Sequence, residues 1–83
     1  MTKIVGWRKS TWTNPENKKV YPVVRLYCLE DFFPSDDPEV RFDGVRCGVY
    51  KVAGEDVLAG VAVGDNVMLY FDKYQRVNRI DIV

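Results

Sequence analysis

The chain has 83 residues, 12 basic and 12 acidic side chains and no histidine, so its formal net charge is zero. That length supplies one core, so residues 1–83 are expected to form a single domain that hides only about 60% of its unfolded surface. An apolar content of 47% with 29% charged residues excludes a disordered chain, and the lack of histidine removes the commonest general base and metal ligand.

β-branched and aromatic residues dominate, in short runs cut by turn residues, which predicts an all-β domain of five strands. The first strand is expected over Lys3–Thr13 and ends at Asn14-Pro15-Glu16-Asn17. Trp7 and Trp12 are five apart and so on opposite faces of a regular strand; a bulge near Gly6 would return both to one side. The second strand, Val20–Glu30, carries Pro22 near its start, which marks a sheet edge. Alternation assigns Val24, Leu26 and Cys28 to the core, and Tyr21, Val23, Arg25 and Tyr27 to the opposite face.

Asp31–Asp43 reads as a long acidic loop with Pro34 and Pro38, of a length that is usually functional or mobile. Phe32 and Phe33 are expected to tuck its start against the body. The third strand runs from Gly44 to about Ala53, with Val45, Cys47 and Val49 inward and Arg46, Gly48 and Tyr50 outward. Cys28 and Cys47 then both face inward, as reduced core thiols or as a disulfide between neighbouring strands. Gly54-Glu55-Asp56 reads as a turn, and the glycines and valines of Val57–Val63 favour irregular chain over helix. The fourth strand, Val67–Asp72, sets Val67, Leu69 and Phe71 against Met68 and Tyr70. Residues 72–76 make a hairpin loop, and the fifth strand, Val77–Val83, places Ile80 and Ile82 together. Such strands close most economically into a small antiparallel barrel, OB-like or SH3-like, which solves the core and the edge problem together.

The charge is unevenly spread. Residues 1–30 carry six basic and two acidic groups, residues 31–43 five acids against Arg41, and residues 44–83 five of each sign. No apolar run resembles a signal peptide, and the longest, Val57–Gly64, falls far short of the ~20 residues that cross a bilayer. A soluble cytoplasmic protein with no membrane association is the expectation. No Ser–His or Cys–His pair, metal-ligand spacing or phosphate-binding glycine motif is present, so neither an enzyme nor a cofactor is expected. Asp36-Asp37 lies between two prolines and reads as part of a solvated loop.

The 11 aromatic residues exceed what so small a core holds. Strand parity puts Tyr21, Tyr27, Tyr50, Tyr70 and Tyr74 outside, with Arg25, Arg46, Arg76 and one of Arg8 and Lys9. Rings interleaved with cations suit single-stranded nucleic acid, because every base has a face to stack and every phosphate needs a cation. The candidate binding residues are therefore Arg8, Lys9, Trp12, Tyr21, Arg25, Tyr27, Arg46, Tyr50, Tyr70, Tyr74 and Arg76. The alternative is that the tyrosines are ordinary strand formers, or that the same aromatic face grips a protein partner. A small core with surplus apolar surface also predicts a homodimer, with Val57–Val63 and the Pro22 edge as candidate contacts.

Three stretches carry a resemblance: Lys3-Ile4-Val5-Gly6-Trp7-Arg8-Lys9, then Lys19-Val20-Tyr21 leading into Arg25-Leu26-Tyr27, and Val63–Val67 leading into Tyr70–Val77. Together they resemble short proteins of phages and integrative elements of Gram-positive bacteria. More distantly they are similar to the filamentous-phage helix-destabilising proteins, which are dimeric OB-fold binders of single-stranded DNA. The resemblance implies a role in replication or transfer of a mobile element and puts Tyr21, Arg25 and Tyr27 on the binding strand. Gln75 stands where the similar short proteins tend to have glycine, and the acidic segment 31–43 would repel a phosphate chain passing beside it.

Overall fold

Turn residues at 14–19, 64–65 and 72–76 divide the chain into strands whose alternation fits a half-buried pleated surface. The computed structural model describes residues 2–83. It contains β1 (Thr2–Thr13), β2 (Val20–Glu30), β3 (Arg46–Val52), a 3-10 helix (Glu55–Leu58), β4 (Asn66–Phe71) and β5 (Val77–Ile82). The strands close into a barrel in the order β1-β2-β3-β5-β4. This is a five-stranded Greek-key barrel, OB-like in architecture. One pair departs from the expected antiparallel scheme. β3 meets β5 in parallel through Val52 opposite Val77, and the Ala53 N–H donates to the Val77 carbonyl at 2.8 Å. The reason is topological: β5 lies between β3 and β4, so closure brings together two strands that run the same way.

The core comprises Ile4, Val24, Leu26, Cys28, Val52, Leu58, Val67 and Val77, with Trp7, Tyr50, Val57, Val61, Leu69 and Ile80 packed against it. Each fully buried aliphatic side chain contributes roughly 1.5–3 kcal/mol. Leu58 arrives on the 3-10 helix, which replaces the turn and irregular chain expected there. Val57, Leu58 and Val61 thus serve the chain's own core, and of the candidate contact stretch 57–63 only Val63 remains a strongly exposed large apolar residue.

Two local departures shape the site. First, β1 bulges between Ile4 and Gly6, leaving Val5 as the extra residue. The bulge precedes both tryptophans, so it cannot bring them to one side: Trp7 packs inward and Trp12 is 52% exposed. Second, β3 runs with the parity opposite to the one expected. It pairs Val24 with Val52, Leu26 with Tyr50 and Cys28 with Gly48. Directly paired residues share a face, so Gly48, Tyr50 and Val52 turn inward while Cys47, Val49 and Lys51 turn outward. Cys47 is exposed and Cys28 buried; both are free, and they lie on opposite faces, so no disulfide joins them.

β1 and β2 outrun the barrel. β3 covers β2 only from Val24 onward, so 10–13 and 20–23 form a two-stranded ribbon, and the molecule measures 51 × 29 × 21 Å. Among the described residues no helix is long and apolar enough to cross a membrane.

Candidate nucleic-acid interface

The register of β1, β2 and β3 assembles one outer face. Trp12 lies opposite Tyr21, Arg8 opposite Arg25, and Arg25 opposite Lys51. Gly6 lies opposite Tyr27, which has Val49 on its other flank. Trp12 and Tyr21 stack with ring centroids 6.0 Å apart and planes inclined by 28°. Along β2 the order is Tyr21, Val23, Arg25, Tyr27, so the rings at the two ends lie about 20 Å apart with the cations between them.

Arg8, Arg25 and Lys51 form a row of three like charges across three neighbouring strands. Like charges directly opposite one another destabilise a sheet. All three side chains are exposed, and among the described residues none has an ion-pair partner. Arg25 and Lys51 also line a groove of ≈ 290 Å³ at the end of β3, together with Pro22, Val24 and Arg76.

Arg76 comes from the β4–β5 loop, which is built around Asp72. The Asp72 carboxylate accepts from the backbone N–H groups of Tyr74 and Arg76 at 2.9 Å and from Arg76 Nε at 3.0 Å. The Arg76 backbone N–H, opposed by desolvation and supported by the Tyr74 N–H and the guanidinium, holds Asp72 below the ordinary carboxylate range. Lys73 and Arg76 lie 5.0 and 5.2 Å from the Tyr74 ring centre, and Tyr74 is 64% exposed. Gln75 takes a left-handed φ of 65°, which explains why glycine suits that position.

The remaining candidates lie elsewhere. Lys9 pairs with Val24 on the face opposite Arg8 and is exposed because the ribbon leaves the barrel there. Arg46 and Tyr50 are not on the outer face. The Tyr50 hydroxyl donates to the Glu30 carboxylate, 2.7 Å from Oε2, and Arg46 Nη1 stands 3.6 Å from the same oxygen. Burial, then this bond to Glu30, pushes the Tyr50 phenol up to about 12. Arg46 also covers the Phe33 ring at 4.8 Å. Tyr50 lines a mouth of ≈ 450 Å³ with Glu30, Phe32, Phe33, Leu69 and Phe71. Tyr70 lies on the outer side of β4. Its hydroxyl donates to Met68 Sδ at 3.2 Å and its ring lies 5.1 Å from Arg79.

Lys51 is absent from the candidates read from the sequence because hydrophobic alternation gives β3 the other parity. The signal that finds it is Val52, whose burial against Val24 turns Lys51 outward. The acidic segment departs from the Glu30 end of β2, about 17 Å along the strand from Arg25. Phe32 stacks on Phe42 at 4.6 Å and ties the two ends of that loop together, while Phe33 is 71% exposed rather than tucked in. No protein-family model, no curated protein and no solved structure matches this chain.

Proposed function

We propose that the outer face of β1, β2 and β3 binds single-stranded DNA without sequence preference. The observation that carries this reading is the row Arg8–Arg25–Lys51. Three unpaired cations set against one another cost stability unless an anion lies across them, and stacking rings flank the row on both sides. Such a face takes phosphates on the cations and bases on Trp12, Tyr21 and Tyr27, with no edge readout and so no sequence preference. The strand 2–3 face and the loops after β1 and β4 are where OB-type barrels take oligonucleotides, and Tyr74 and Arg76 stand on the second of these loops. The resemblance to mobile-element proteins fits the same reading and suggests work in replication or transfer of such an element.

The test is a titration with a thymidine oligomer, followed by tryptophan fluorescence at low and moderate salt. Saturable quenching is expected, weakening with salt by about 0.7 logarithmic units per phosphate contacted. Replacing Arg8, Arg25 or Lys51 with alanine should weaken binding and flatten that slope without unfolding the domain. Salt-independent behaviour, or no binding at all, would assign the face to a protein partner instead.

A further inference from the structure

Gly6 sits in the middle of a strand and directly opposite Tyr27 on the proposed binding face. Its backbone does not call for glycine. Only Gly44, Gly60 and Gly64 among the described glycines have positive φ, and a bulge that needs glycine holds it in the left-handed region. Packing does not call for glycine either, because a Cβ added there would meet no heavy atom within 4 Å. The Tyr27 ring therefore leaves that space open. Glycine inside a strand is destabilising relative to alanine, so neither conformation nor packing explains its presence. On its other flank Tyr27 has Val49, which is 53% exposed. The next row along the strand, about 7 Å away, holds Arg8 and Arg25.

We propose that Gly6 keeps a base slot open: one base of the strand enters above Gly6 and stacks on Tyr27, with its phosphate on Arg8 and Arg25. The slot rests on the single-strand reading above and adds to it one stacking position and the residue that controls it. A side chain at position 6 would fill the slot and leave the cations untouched. It should remove base-dependent affinity and spare the electrostatic part.

The experiment compares the full-length protein with Gly6→Val, Gly6→Ala and Tyr27→Ala. Each is titrated with a thymidine oligomer of about twelve nucleotides, within the range one OB barrel covers, and with an equally long abasic deoxyribose-phosphate chain. Thermal unfolding is recorded alongside. Gly6→Val is expected to fold and to bind the thymidine oligomer roughly tenfold more weakly, the scale of one lost stack. Its affinity for the abasic chain and its salt slope should not change. Gly6→Ala should shift in the same direction by less, and it carries the comparison if the valine variant does not fold. Adding Tyr27→Ala to Gly6→Val should cost nothing more than Tyr27→Ala alone. Wild-type affinity for both ligands in the glycine variants overturns the slot. The single-strand reading survives that result if Arg25→Ala and Lys51→Ala weaken both ligands, whereas a wild-type protein that binds neither overturns the reading and the slot together.

Discussion

Tyr50 illustrates how one side chain ties several elements together. Its ring lies back over Gly48, where an added Cβ would come within 2.8 Å of Cε2, and meets Phe71 edge-on at 5.3 Å. Its hydroxyl satisfies Glu30, a carboxylate only 9% exposed. Tyr50→Phe leaves that carboxylate with Arg46 as its remaining partner, and should cost about 1–3 kcal/mol in urea unfolding. The same group, with Cys28, contributes to how stability depends on alkaline pH. Burial, then the Glu30 bond, raises Tyr50 from 10.0 to about 12, and burial, then the Glu30 charge, raises Cys28 from 9.0 to about 11. Both stay protonated in the folded chain at a pH where the unfolded chain has released its protons. Their stabilising effect is complete below pH 9 and lost as pH rises toward 12. Unfolding free energies should therefore fall between about pH 9 and pH 12, and less steeply in Tyr50→Phe. A flat profile there would mean that neither group is shielded as described.

At the level of elements, β2 was legible because Val24, Leu26 and Cys28 alternate with polar and aromatic residues on one clear period, and those three side chains are buried as expected. β3 was not, because valine and cysteine on one parity outweigh glycine and arginine on the other in any hydrophobic count. Register overrides that count: once Val52 meets Val24, every other residue of β3 is committed, and Lys51 joins the outer face. The β4–β5 loop carries a different local conflict. Gln75 occupies the left-handed region at φ 65°, an unfavourable conformation for any residue with a Cβ. Gln75→Gly should raise stability by about 0.5–1 kcal/mol, net of the added freedom of the unfolded chain. That corresponds to a rise of several degrees in Tm for a domain of this size. A lower Tm would mean that the glutamine side chain contributes more than its backbone costs.

At the scale of the molecule, zero net charge conceals a separation. Arg8, Arg25 and the ribbon lie along β1 and β2 before Glu30, and the acidic segment departs after it. The loop thus leaves β2 about 17 Å along the strand from Arg25. The ribbon of 10–13 and 20–23 leaves backbone edges without a third strand, and such edges pair readily with another chain. With so small a core, we propose a homodimer through the Pro22 edge. Light scattering at micromolar concentration should give twice the 9.6 kDa of one chain, and a strictly monomeric mass would remove that expectation.

The sequence by itself determined the strand class, the number of strands, the inner face of β2 and the chemical character of an outer surface rich in rings and arginines. These follow from local periodicity and composition, which need no knowledge of neighbours. Tertiary structure alone decided which strand lies beside which, and therefore that Arg8, Arg25 and Lys51 form one row while Arg46 and Tyr50 turn to Glu30. It also decided that Trp12 stacks on Tyr21 and that the space above Gly6 stays open beside Tyr27. The physical reason is the two-residue period of a strand: a shift of one residue in pairing exchanges its faces, and only the partner strand sets that shift.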